Sequence, residues 1–150
     1  MPTLLTWLSL PVPAQCEGLS LTPFLNAPES VTSWRTEVHY EYDFRDVVNG
    51  ETLENQFGIS QHQCTLNVIR DEHFKYVHFT ALPPLLFDLQ KDPSELNNLA
   101  VDPGSTPQLL RYAQKMLSWR MNHDEQTLTH LTLTDDGVVS RPAPRYRLNQ

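Results

Sequence analysis

Three strand-like segments follow one another between residues 64 and 89, and an amphipathic helix follows them. This run constrains the fold more than anything else in the chain. Cys64–Arg70, Phe74–Phe79 and Leu85–Leu89 are rich in β-branched and aromatic residues. The spacers Asp71-Glu72-His73 and Thr80–Pro84 are too short for a crossover helix, so neighbours must run antiparallel. Upstream, Trp34–Tyr42 alternates: Val38, Tyr40 and Tyr42 share one face, while His39 and Glu41 share the other. A period of two predicts a half-buried strand, which raises the sheet to about four strands. Residues 107–123 carry Leu109, Leu110, Ala113, Met116, Leu117 and Met121 at spacings that form one apolar stripe, so this helix is expected to lie across the sheet. The predicted class is α+β: an antiparallel sheet of about four strands against a C-terminal helix.

The flanks are less regular. Pro2–Leu8 reads as a helix with proline in its first turn, where the missing N–H costs nothing. Nothing precedes it to pack against, so it has the character of a helix left over from a larger unit. Ser20–Leu25 reads as a short helical turn capped by Ser20, and residues 26–33 as a polar linker. Residues 43–60, which include Asn49-Gly50, read as a loop. Asp92-Pro93 opens a turn with Asp92 as cap. From Thr134 onward the chain is expected to be extended. The expected division is residues 1–30, 31–133 and 134–150.

Charge and composition exclude some functions. Lys and Arg total 11 against 18 Asp and Glu, a net charge of −7. An acidic chain without a basic block is a poor match for a phosphate backbone, so nucleic acid is not an expected partner. No apolar run approaches the roughly 20 residues needed to cross a bilayer, so no membrane is expected either. Met1–Leu10 lacks the basic start and the cleavage site of a signal peptide. Cys16 and Cys64 read as two unpaired thiols, and a cytoplasmic location is expected.

Catalytic constellations are scarce. The histidines are His39, His62, His73, His78, His123 and His130, and none lies in an H-x-H or H-E-x-x-H arrangement. His62 and Cys64 form a lone H-x-C, short of the three or four ligands a metal needs. Neither cysteine sits at a helix N-terminus, where a thiolate would be favoured. Glu37, Glu41, Asp43 and Asp46 cluster around the first strand, but Arg35 and Arg45 are interleaved, as on a solvated ion-paired face. His39 and His78 lie in or at the end of predicted strands and are the two side chains placed to reach a cleft, as part of a substrate-pocket wall.

Leu86-Phe87-Asp88-Leu89-Gln90-Lys91-Asp92-Pro93-Ser94-Glu95-Leu96-Asn97-Asn98-Leu99-Ala100 resembles the "L-[YF]-D-L-x-x-D-P-x-E-x-x-N-L-A" signature near the C-terminus of sulfatases, within the alkaline phosphatase superfamily. Ile69-Arg70-Asp71-Glu72-His73-Phe74-Lys75-Tyr76 is similar to the family's "R-x-x-x-x-K-Y" strand pair. Pro2-Thr3-Leu4-Leu5, Leu10-Pro11-Val12-Pro13 and Gly18-Leu19-Ser20-Leu21 with Phe24-Leu25 resemble the segment that ends the large domain of these enzymes. Val38–Asp46 and Lys75–Phe79 look closest to the phosphonate monoester hydrolase branch. The resemblance runs from residue 2 to about residue 125.

The resemblance implies a small C-terminal domain, a four-stranded sheet on a helix, beside a large α/β domain. It also implies a parent enzyme that hydrolyses sulfuric or phosphonate-type esters with a divalent metal and a formylglycine. The family's nucleophile sits in C/S-x-P-S-R. Cys16 is followed by Glu17-Gly18-Leu19-Ser20 and Cys64 by Thr65-Leu66-Asn67-Val68, so neither fits. The metal-binding pairs of the family lie upstream of the P-T-L-L segment. No catalytic residue, metal ligand or cofactor is therefore expected in this chain, which should be inactive alone. Its expected partners are the N-terminal sulfatase domain or a second copy. The competing expectation is a non-catalytic docking or oligomerisation module that packs on a partner hydrolase.

Overall fold

The computed structural model describes residues 1–13, 16, 18–46, 48, 52–123 and 131–140. Asn49-Gly50 and His130 lie outside them. The chain divides into two units, residues 35–119 and residues 1–34 with 120–150.

In the discontinuous unit, helix α1 spans Pro2–Trp7 and helix α2 spans Thr22–Asn26. Neither contains a buried residue. Thr3 Oγ1 ties the two together by accepting from the Leu21 amide at 3.0 Å. The expected cap is displaced: the residue at the N-cap of α2 is Leu21, with no side-chain bond, and Ser20 instead accepts from the Thr22 amide at 3.3 Å. Phe24 and Trp34 meet edge to face with centroids 4.7 Å apart, a favoured geometry for the ring quadrupoles.

In the other unit, β1 (Glu37–Asp43), α3 (Thr52–Phe57), β2 (Thr65–Asp71), β3 (Phe74–Phe79), β4 (Leu85–Asp88) and α4 (Thr106–His123, of which residues 106–119 belong here) follow in order. The sheet order β1-β2-β3-β4 is a plain antiparallel meander, as the short spacers demand. Among the described residues, the loop expected over residues 43–60 contains the short helix α3.

The register sets the two faces. Glu37, His39, Ile69, Asp71, Phe74, Tyr76, Leu86 and Asp88 share one face, because each opposes another member across a strand boundary. Helix α4 covers this face. Ile69, Tyr76, Leu86, Tyr112 and Met116 form the core cluster, with Phe74, Leu99, Ala100, Leu109 and Ala113 packed around it. Ile69 and Leu86 are fully buried, and each contributes about 1.5–3 kcal/mol through its buried side chain.

Two expectations change. The buried stripe of α4 is Leu109, Tyr112, Ala113 and Met116, while Leu110, Leu117 and Met121 are exposed. Tyr112 replaces them because its ring fills the core while its hydroxyl finds a carboxylate, so a polar tip is no bar to burial. On β1, the apolar face is the open one: Val38, Tyr40 and Tyr42 are 50%, 46% and 60% exposed. Its polar face lies towards α4 because Glu37 and His39 both find partners there.

A second, two-stranded sheet closes the described chain. Strand β5 (Leu131–Thr134) pairs with β6 (Gly137–Ser140) around Asp135-Asp136. Gly137 has φ of +105°, a conformation L side chains rarely adopt. The expected boundary at residue 134 falls inside this hairpin.

Candidate functional site

His39 projects from β1 beneath α4. Its ring stacks on Trp119, with centroids 4.3 Å apart and planes 4° from parallel. Its Nε2 lies 3.0 Å from Glu37 Oε1. With 8% of its side chain exposed, the imidazole is enclosed by these contacts.

Glu37 and Asp71 oppose each other across the β1–β2 boundary, and Lys115 of α4 bridges them. Lys115 donates to Glu37 Oε2 at 2.5 Å and lies 3.5 Å from Asp71 Oδ2. The Tyr112 hydroxyl donates to Asp71 Oδ2, while Asp71 Oδ1 accepts from the amides of His73 and Phe74 at 2.9 Å. Burial alone would raise the Glu37 carboxyl, but the hydrogen bonds from Lys115 and His39 outweigh it and hold the group below the ordinary value of 4.5. Burial also opposes ionisation of Asp71, yet the Tyr112 hydroxyl, the two amides and Lys115 hold it below 3.8. Burial and the bond to Asp71 push the Tyr112 phenol far above its usual range. This cluster anchors helix to sheet, with each charge answered by a specific donor.

His78 stands on the same sheet face as His39 but opposite Asn67, with strand β2 between the two histidines. Its residue is exposed, and Nδ1 lies 2.8 Å from the Tyr76 hydroxyl. Burial raises the Tyr76 phenol, and which of the two atoms donates follows from the tautomer of His78. The structure does not bring the two histidines together; each serves its own neighbour.

The remaining candidates are also separate. Both cysteines are free: Cys16 half-buried, Cys64 buried. Burial first, then the carboxylates of Glu54 and Asp43, push the Cys64 thiol up, the reverse of activation. Its Sγ lies 3.4 Å from the Ser60 carbonyl oxygen. His62 is exposed on a 3-10 turn over Gln61–Gln63. Asp43 forms an exposed pair with Arg45 at 2.6 Å. Among the described residues no group of three or more His, Cys, Asp or Glu side chains could hold a metal ion.

The densest constellation is the segment after β4. Asp88 Oδ1 accepts from the amides of Gln90 and Lys91, each at 3.1 Å, and closes the turn. Asp92 Oδ2 accepts from the Asn97 amide at 2.7 Å. Asp92 thus acts as the expected cap, though of an irregular turn rather than a helix. Asn98 Oδ1 accepts from the Leu86 and Ala100 amides, each at 3.0 Å. It therefore caps the following 3-10 turn and satisfies the outer edge of β4 together. Lys75 on β3 reaches Glu95 at 2.5 Å and lies 6.0 Å from the Phe87 ring centroid. That bond anchors Glu95, a non-glycine residue at φ of +56°. The fixed residues of the segment are thus a staple from β4 to the loop before α4. Sequence reasoning identified its members but missed the Lys75–Glu95 link, whose signal is the recurrence of lysine and glutamate in two neighbouring motifs.

A four-stranded antiparallel meander with a C-terminal helix is consistent with the C-terminal domain of sulfatases. The family model described as N-sulphoglucosamine sulphohydrolase, C-terminal, matches residues 1–123, and the chain belongs to that family. It is 51% identical over 141 residues to the multifunctional alkaline phosphatase superfamily protein PehA of Trinickia caryophylli, covering 94% of this chain and 27% of that protein. It is 29% identical over 108 residues to human arylsulfatase K, covering 67% of this chain and 17% of that protein. Among solved structures, the phosphonate monoester hydrolase of Agrobacterium radiobacter is 48% identical with a TM-score of 0.75, over 95% of this chain and 28% of that one. The chain spans about a quarter of the length of PehA and of the Agrobacterium enzyme.

Proposed function

We propose that this chain works as the C-terminal part of a metal-dependent sulfatase or phosphonate monoester hydrolase, and that it supplies support rather than reacting groups. The parent reaction is hydrolysis of a sulfuric or phosphonate-type ester. A formylglycine and a divalent metal supply the nucleophile and the charge stabilisation in that reaction, and both belong to the larger part of the enzyme. One observation carries the reading: the identity to PehA is high, 51%, yet falls on 27% of that protein, where this chain's most ordered polar cluster is a structural staple. His78, the exposed member of the two strand histidines, is the better placed to border a substrate pocket. A cytoplasmic location fits the two free thiols. Among the described residues no helix is long and apolar enough to cross a membrane.

The test has two arms. The purified chain is assayed with an aryl sulfate and an aryl phosphonate monoester in the presence of Mn²⁺ or Zn²⁺, and no turnover is expected. Metal-dependent turnover by the pure chain overturns the reading. In the second arm the chain replaces the matching quarter of PehA. The chimera is expected to fold and hydrolyse the phosphonate ester; a chimera that does neither also overturns it.

A further inference from the structure

The sheet face that α4 covers continues past the core. Register places Glu41, Asn67 and His78 side by side there, in the row next to His39, Ile69 and Tyr76. Most polar side chains of this face are already answered. Glu37 holds His39 and Lys115, and Asp71 takes the Tyr112 hydroxyl. In the row beyond, the Thr65 and Thr80 hydroxyls share a bond of 2.6 Å. Two groups are left over. The Asn67 side chain is half-buried and has no hydrogen bond among the described residues, and the His78 ring has only the one at Nδ1.

The bond at Nδ1 is the informative one. Tyr76 is a core residue, 3% exposed, yet its hydroxyl lies 2.8 Å from a ring that is exposed. An imidazole in water samples several rotamers; this one is held by the core, with Nε2 on the other side of the ring and free to meet a ligand. Residues directly opposed on one face of an antiparallel pair have Cβ atoms roughly 5 Å apart. The Asn67 amide and Nε2 can therefore close on one small group between them. The amide offers both a donor and an acceptor, and Nε2 offers one or the other according to tautomer. A hydroxyl, which donates and accepts at once, matches this pair. An anion does not, because the Glu41 carboxylate stands on the other side of Asn67 and a second negative charge there is repelled.

We propose that Asn67 and His78 contact the alcohol part of the ester substrate by gripping a neutral hydroxyl on it, and that Tyr76 positions the imidazole for this. The inference rests on the proposed function, in which His78 borders the substrate pocket. It divides the substrate between two parts of the enzyme. The anionic ester group belongs to the metal and the formylglycine of the larger part, and the hydroxyl that takes no part in cleavage belongs to this sheet. Esters of hydroxyl-bearing alcohols are therefore favoured over plain aryl esters.

The test uses the PehA chimera and a set of phosphonate monoesters: the phenyl ester, and esters whose phenol carries a hydroxymethyl group at the ortho, meta or para position. The readout is kcat/KM for each substituted ester divided by that for the phenyl ester. In the unmodified chimera the largest ratio is expected to exceed about 3. Asn67→Ala and His78→Ala are each expected to lower it about 3- to 10-fold, the worth of one neutral hydrogen bond. The change should fall on KM rather than kcat, because the contact is the same before and during bond cleavage. Tyr76→Phe keeps the ring and loses the hydroxyl, and should lower the ratio by about 2-fold. An equal fall for plain and substituted esters overturns the contact and leaves both residues a structural role. An unmodified chimera without any preference, or ratios unmoved by either alanine, overturns it as well while leaving the proposed function standing. A ratio unmoved by Tyr76→Phe overturns the positioning role of the tyrosine. An unmodified chimera that neither folds nor turns over the phenyl ester refutes the proposed function, and this inference with it.

Discussion

Replacing Asn98 by alanine tests the staple directly. Its amide oxygen holds two backbone donors, Leu86 N and Ala100 N, each at 3.0 Å, and its amide nitrogen lies 3.4 Å from the Pro84 carbonyl oxygen. Leu86 is fully buried, so its amide cannot turn to water when the acceptor disappears. An orphaned buried donor costs about 1–3 kcal/mol. Ala100 is half-buried and starts a 3-10 turn, so its loss resembles removal of a helix cap, about 1 kcal/mol. The long Pro84 contact adds little. The expected destabilisation is about 2–4 kcal/mol, or roughly 4–16 °C in melting midpoint for a chain of this size.

The assay is urea unfolding followed by far-UV circular dichroism. The midpoint should fall while the slope stays constant, because the surface exposed on unfolding is unchanged. Asn98→Asp keeps both accepted bonds and loses only the weak donation, so its cost should be less than half that of alanine. A loss below about 0.5 kcal/mol for Asn98→Ala, the range of an indifferent surface change, refutes the claim that the signature acts by holding backbone groups.

Tyr112→Phe removes the donor to Asp71 and should cost about 1–2 kcal/mol at neutral pH. The Asp71 carboxyl is held below 3.8 in the fold, so its contribution is present above that value and is lost as pH falls through the depressed folded value. Denaturation across pH should therefore show the gap between native chain and variant closing below about pH 4; a gap constant to pH 2 contradicts the assignment. Cys64 is fully buried with its thiol pushed up, while Cys16 is half-buried. A thiol reagent should thus label Cys16 first, and Cys64 at a rate set by unfolding; equal rates in the native chain would contradict this.

The meander was legible because its signals are local. Alternation defined β1, short spacers forced antiparallel neighbours, and the observed strands depart from expectation by only a few residues. The faces were less legible. Alternation shows that β1 has an apolar and a polar side but not which side meets the helix. That is decided by Lys115 and Trp119, which lie far along the chain and turn Glu37 and His39 inward. The same reason explains α4: a stripe chosen by apolarity prefers Leu110 and Leu117 to Tyr112, because the carboxylate that makes a buried tyrosine favourable is Asp71 on another element. The hairpin at residues 131–140 did carry a signal, Asp135-Asp136-Gly137 between β-branched residues. It was outweighed by the prolines and basic residues around it.

The two strand histidines stand on one sheet face without meeting each other. Both sit on strands of one face, as a pocket wall would require, yet each imidazole has a local structural partner, Glu37 for His39 and Tyr76 for His78. The residues with fixed spacing in the signature likewise spend their polar atoms on backbone groups and on one lysine. A hydrolase's reacting groups must keep a lone pair or a proton available for substrate, and the groups of the staple have committed theirs to the fold. The resemblance of residues 86–100 to the sulfatase signature is therefore compatible with a segment that takes no part in bond cleavage. Its strict spacing follows from geometry: Asp88, Asp92, Glu95 and Asn98 must each meet a particular amide or ammonium around one turn, and inserting or deleting a residue would break several of those contacts together.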